Sequence, residues 1–123
     1  MANTFKNQGA ALVTGGGVVY TAPAATTSII HSCFISNIDG TSSVNVDIKA
    51  RATSGDTYYH VAKTVPVPAG STLVLDKPID LEATGDVHMT ASANSDAEAV
   101  LGILEIHELF GQIRAESYEY KEV

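Results

Sequence analysis

The sequence predicts an all-β protein: an antiparallel two-sheet β-sandwich, jelly-roll or Ig-like, of about eight strands. Three observations predict it. Val, Ile and Thr make up 33 of the 123 residues, and these β-branched types sit better on a pleated surface than in a helix. They fall in short runs parted by Gly, Pro, Asp and Ser, and the runs recur roughly every 8 to 12 residues, the rhythm of a sandwich or barrel. No stretch sustains a helical period of apolar residues. A chain of this length closes one core, so a single domain is expected.

The elements are justified in chain order. Residues 11–14 and 18–21 flank Gly15, Gly16 and Gly17, which suggests two short strands joined by a flexible turn. Residues 1–16 otherwise stand outside the repeating pattern and are expected to form an N-terminal segment or arm. From Thr27 to Ile38 apolar residues occupy both faces, the pattern of a central strand, and Asp39 with Gly40 supplies a hairpin-type turn. The clearest strand is Val44 to Ala52, where even positions are apolar and odd ones polar or charged, giving one buried and one wet face. Ser54, Gly55 and Asp56 turn the chain into an aromatic strand, Thr57 to Ala62, expected to pair with the Val44 strand. Its neighbours Tyr58 and Tyr59 point to opposite faces, one towards the core and one outward. Pro66 and Pro68 lack the ladder donor, so residues 65–70 form an edge or a sheet-to-sheet crossover. Short strands at 71–76 and 79–82 are parted by Lys77 and Pro78, and 87–92 alternates again. Residues 97–106 hold an apolar run from Ala99 to Leu104, in which Gly102 and the isoleucines favour a two-sided central strand over a helix. The sandwich is therefore expected over residues 17–108, with 109–123 as a C-terminal arm. Its core should include Ile29, Cys33, Ile35, Val46, Ile48, Val61, Leu73, Leu75, Val87, Met89, Leu101 and Ile103.

Composition excludes several functions. Seven basic against fourteen acidic residues leave a formal charge of −7 with no basic cluster, which argues against a direct grip on nucleic acid. One cysteine, Cys33, rules out an intrachain disulfide and a cysteine-based zinc site. It lies mid-strand and reads as a small core residue. The start has no apolar signal core and no stretch approaches the ~20 apolar residues of a membrane span, so no membrane partner and assembly in a cytoplasm are expected.

Catalytic and metal motifs fail on inspection. His31, His60, His88 and His107 sit on four different predicted strands with no short-range pair of ligands, so half-buried strand positions explain them better than a metal. His107-Glu108 opens like H-E-x-x-H, but Gly111 stands where the second ligand should be. The Gly15–Gly17 run lacks the lysine and helix of a phosphate loop. Asp56 and Asp86 follow glycines and read as turn residues. No cofactor, no metal and no enzymatic activity are expected. The apolar groups beyond the last strand, Phe110, Ile113, Tyr118 and Tyr120, are candidate partner-binding residues, because a solvent-exposed end has no reason to carry them. A weakly charged domain with open edge strands also favours a homo-oligomer or lattice-bound subunit, in which partners cover those edges.

The runs VVYTAPAATTSII (18–30), ISNIDG (35–40), DTYYHVA (56–62), VPAGSTL (67–73) and LEATGDV (81–87) resemble small virion proteins of tailed bacteriophages, notably of marine and cyanobacterial phages. The resemblance covers roughly residues 17–107 and carries turn-and-strand signatures, with no catalytic residue to transfer. It implies a capsid decoration or cement subunit, or a neck or tail accessory protein. Such a subunit would be assembled into the virion in the host cytoplasm, and its partners would be the major capsid protein or neck and tail proteins. A receptor- or carbohydrate-binding sandwich is the alternative from another class.

Overall fold

The computed structural model describes residues 3–107. Over that range the chain is built from nine strands and no helix: β1 (Asn3–Ala11), β2 (Gly17–Thr21), β3 (Thr26–Asn37), β4 (Val44–Arg51), β5 (Tyr59–Val67), β6 (Thr72–Leu75), β7 (Ile79–Leu81), β8 (Asp86–Ala91) and β9 (Ala97–His107). They form two antiparallel sheets. The front sheet has the order β1-β9-β3-β6, with β7 also on β3, and the back sheet has β2-β8-β4-β5.

The pairings nest. β4 pairs with β5, β3 with β6 and β7, β2 with β8, and β1 with β9, as if one long hairpin with its tip between β4 and β5 had been rolled up. β3 on β9 and β4 on β8 close the roll. This is the jelly-roll arrangement, and it decides between the two sandwich types. β6 and β7 share one strand position, interrupted at Lys77 and Pro78, so nine strands fill eight positions.

Side-chain alternation puts the core between the sheets. Val44, Val46 and Ile48 of β4 face Ile35, Leu101 and Ile103 from the front sheet, with Val87 and Met89 beside them, all at most 1 % exposed. Each such side chain contributes about 1.5–3 kcal/mol by leaving water.

Four expectations need correction. Residues 3–11 are not an arm: they pair along their whole length with β9, from Asn3 opposite Ile106 to Ala11 opposite Glu98. Their weak alternation hid this, because an edge strand needs little apolar surface. Asp39 and Gly40 do not close a hairpin, since β3 and β4 lie in different sheets. The loop is a crossover, held by the buried Asn37 side chain, which donates to the carbonyls of Ser42 (2.8 Å) and Val67 (2.9 Å). Hydrogen bonds from Thr41 hold the Asp39 carboxyl below the usual carboxylate range. Ile29 is only half-buried while Ile30 is in the core, because β3 has a bulge between Ile30 and Ser32 that reverses the alternation before Cys33. Val61 faces outward, displaced by two register shifts between β4 and β5, and Leu73 and Leu75 sit at the core's rim.

Candidate functional site

The two sheets differ in what they show to solvent. The back sheet presents Asn45, Asp47, Lys49 and Arg51 from β4 and His88 and Thr90 from β8, a polar centre flanked by the exposed Val18 of β2 and Val61 of β5. Tyr58 lies on this face and is not core. Its hydroxyl donates to Asp86 Oδ1 at 2.5 Å, and the Arg51 guanidinium carbon sits 4.6 Å from its ring centre. Arg51 also pairs with Asp86 Oδ2 at 2.9 Å. Burial, followed by the bond to Asp86, pushes the Tyr58 phenol up. Tyr59 is 74 % exposed.

The front sheet is different. Register places Phe5, Leu104 and Ile29 in one row across its outer face, and Val100, Phe34 and Val74 in another four residue pairs along. Phe5 is 75 % exposed, Phe34 42 %, and Val74 and Val100 52 % each. Between the rows lies the His31 ring, edge-on to Phe5 at 6.3 Å and close over Gly102, where an added Cβ would come within 2.7 Å of it. Glycine at 102 leaves that ring its place. The charged groups on this face, Glu98 and Asp80, stand at its margins. Two apolar rows of this kind on one face of a sandwich mark an interaction surface.

The front sheet also has the one regular long edge among the described strands. β1 runs nine residues in unbroken register with a single charge, Lys6. The other edges are blunted. β5 carries two register shifts, Pro66 and a left-handed Thr64 at φ 52°. β2 is short with a register shift, and β6 and β7 are stubs.

Inside, one polar cluster ties the sheets together. The Tyr20 hydroxyl of β2 donates to Glu105 Oε2 at 2.5 Å and lies 2.8 Å from Ser28 Oγ. Lys6 Nζ stands 3.6 Å from the same carboxylate. Burial, with the Glu105 bond, pushes the Tyr20 phenol up to about 12.

The residues singled out for chemistry do not converge. His31 is on the front face and His60 on the β5 edge. His88 packs on Tyr58 at 5.6 Å between ring centres, and His107 ends β9 beside Thr4 and Thr26. Among the described residues no three His, Cys, Asp or Glu side chains gather as metal ligands. Gly15 to Gly17 form a turn, with Gly16 at φ 74° against His88. Asp56 accepts from Thr53 in an exposed turn, whereas Asp86 opens β8 as a buried anchor for Arg51 and Tyr58. Cys33 is buried, and burial pushes its thiol up to about 11, so it is inert. A cleft of about 530 Å³ lies at one end of the sandwich, lined by Arg51, Asp56, Tyr59, Asp80 and Glu82 among others. Phe110, Ile113, Tyr118 and Tyr120 lie outside the described residues. The residues missed from sequence are those of the front face, although the two-sided apolar pattern of 27–38 and 99–104 was their signal.

No family model and no curated protein matches the chain. Among solved structures, it is similar to a chain from work on Bacillus endospore appendages described as a novel family of disulfide-linked pili. The TM-score is 0.53 and the identity 12 %, over 86 % of this chain and 87 % of that one. At that identity the likeness is one of fold.

Proposed function

We propose that the chain is a non-enzymatic structural subunit that binds into a larger protein assembly through the outer face of the front sheet. The observation that carries this reading is the pair of apolar rows on the outer face of the front sheet, Phe5 with Leu104 and Ile29 and Val100 with Phe34 and Val74, where the two central strands of the back sheet carry polar and charged groups. Of the assemblies available, the sequence resemblance favours a tailed-phage virion, with the chain as a decoration or cement subunit on the head or an accessory of the neck or tail. Jelly rolls recur in capsid domains, which adds support at the level of fold alone. The pilus chain of similar fold belongs to a polymeric appendage described as disulfide-linked. Here the single cysteine is buried, so assembly would be non-covalent. Light scattering of the purified chain, alone and mixed with phage capsids lacking it, tests the reading. Self-association or capsid binding is expected. A strict monomer with no affinity for head or tail refutes it.

A second reading is favoured by the cleft beside Tyr59, where an exposed ring stands next to Asp56, Asp80 and Glu82. Stacking and carboxylate contacts are how proteins hold sugars, and this would make the chain a carbohydrate- or receptor-binding module. Glycan-array binding abolished by Tyr59→Ala would transfer the assignment.

A further inference from the structure

We propose that the apolar outer face of the front sheet receives residues 109–123 of a second copy of the chain, so that subunits join head to tail. This deepens the assembly reading and rests on it. The face needs a cover that brings apolar side chains. The chain supplies one in Leu109, Phe110, Ile113, Tyr118 and Tyr120, all outside the described residues. The segment's charges nearly cancel, Arg114 and Lys121 against Glu116, Glu119 and Glu122, so the match is one of apolar surface.

Position and reach favour a neighbour over the parent domain. The described residues end at His107, the last residue of β9, whose two sides are already taken by β1 and β3. The segment that follows cannot add beside β9. To cover its own face it would have to reverse within the first few residues after His107 and run back over β9. Continuing outward, the sixteen residues 108–123 span up to roughly 50 Å, more than the roughly 37 Å of eleven-residue β9. The segment can therefore pass beyond its own domain. A contact between two different patches is heterologous and generates rings or open arrays.

The test uses the full chain with a photo-crosslinking benzoyl-phenylalanine at position 110, as an equal mixture of nitrogen-15-labelled and unlabelled protein. After illumination, mass spectrometry should find position 110 joined to peptides holding Phe34, Val74 or Val100, in mixed-label products as abundant as same-label ones. Crosslinks confined to one label place the segment on its own domain and overturn the proposal. So do crosslinks to any other surface while the chain still assembles, an outcome that leaves the assembly reading standing. A chain that is monomeric at every concentration and binds no particle overturns both. Independently, Val74→Glu and Val100→Glu change outward, half-exposed positions and should leave the melting temperature nearly unchanged. Together they should raise the concentration of half-assembly about tenfold or more. Unaltered assembly in that variant also overturns the proposal.

Discussion

Replacing Tyr20 by Phe should weaken the fold far more than the loss of one oxygen suggests, because that hydroxyl is where the two sheets meet in polar contact. Tyr20 is 6 % exposed and Glu105 5 %. The phenol donates to the Glu105 carboxylate and stands within hydrogen-bonding distance of Ser28. A bond to a charged group contributes about 1.5–3 kcal/mol, and a buried hydroxyl left short of a partner adds about 1 kcal/mol. Lys6 compensates weakly, since its side chain is 41 % exposed at 3.6 Å and exposed pairs contribute little. The expected loss is therefore about 2–4 kcal/mol. For a domain of this size each kcal/mol moves the midpoint by roughly 3–5 °C, so thermal unfolding should fall by at least about 6 °C. Urea titration should show the same loss with an unchanged slope. Adding Glu105→Leu removes the stranded charge and should restore more than half of the loss. A Tyr20→Phe variant within about 0.5 kcal/mol of the parent, or a double variant weaker than the two losses combined, would refute the reasoning.

Other outcomes follow from single groups. Tyr20 and Cys33 have folded-state pKa values raised to about 12 and about 11. Their contribution is complete below the unfolded values and is lost as pH rises, so stability should hold to about pH 8 and decline between about pH 9 and 12. Cys33→Ala should flatten the lower part of that decline in a pH-jump unfolding series. Burial, followed by nearby Lys49, lowers the His88 pKa, with Asp86 opposing. That contribution is present above the unfolded value near 6.5 and is lost as pH falls. His88→Gln should lessen acid sensitivity below about pH 6.5. An alanine at Gly85 would bring Cβ within 2.6 Å of the Ala52 carbonyl oxygen and 2.8 Å of that of Arg51. Backbone cannot swing aside, so Gly85→Ala should cost about 1–3 kcal/mol by calorimetry. Ile48 is fully buried, and Ile48→Asp should leave the protein insoluble. Parent-like melting would contradict the β4 register.

How much was legible follows from how local each signal was. β4 could be read residue by residue, because its even positions face the core without interruption. The prolines of β5 announced an edge, and Gly102 with its flanking isoleucines announced a strand. The bulge at His31 could not be read: Thr27 to Ile38 carries apolar residues at both parities, so nothing local says which of Ile29 and Ile30 turns inward. β1 was missed for the opposite reason, since Asn3 to Gln8 is mostly polar and is held by backbone pairing with β9. Jelly-roll against Ig-like order depends on which distant strands pair, and no turn residue encodes that. The front face was visible as two-sidedness, but only the sheet order shows that, among the described residues, no third layer covers β3 and β9.

That missing layer bears on how tightly a subunit would be held. Phe34, Val74 and Val100 each leave about half their surface in water in the folded subunit, so they contribute little to its own stability. Covering the exposed half of such a side chain is worth about 0.8–1.5 kcal/mol, and the six apolar residues of the two rows together offer on the order of 5–8 kcal/mol. Association itself costs about 4–15 kcal/mol in lost freedom and ordering. One face against one partner therefore makes at most a weak complex, with a dissociation constant of about millimolar or weaker. On a particle that repeats the same contact, a subunit engaged at both its face and its C-terminal segment is held by two weak contacts at once, the second made at high effective concentration. A surface of this strength suits a protein that stays dispersed while free and becomes firmly bound once a lattice presents several partners together.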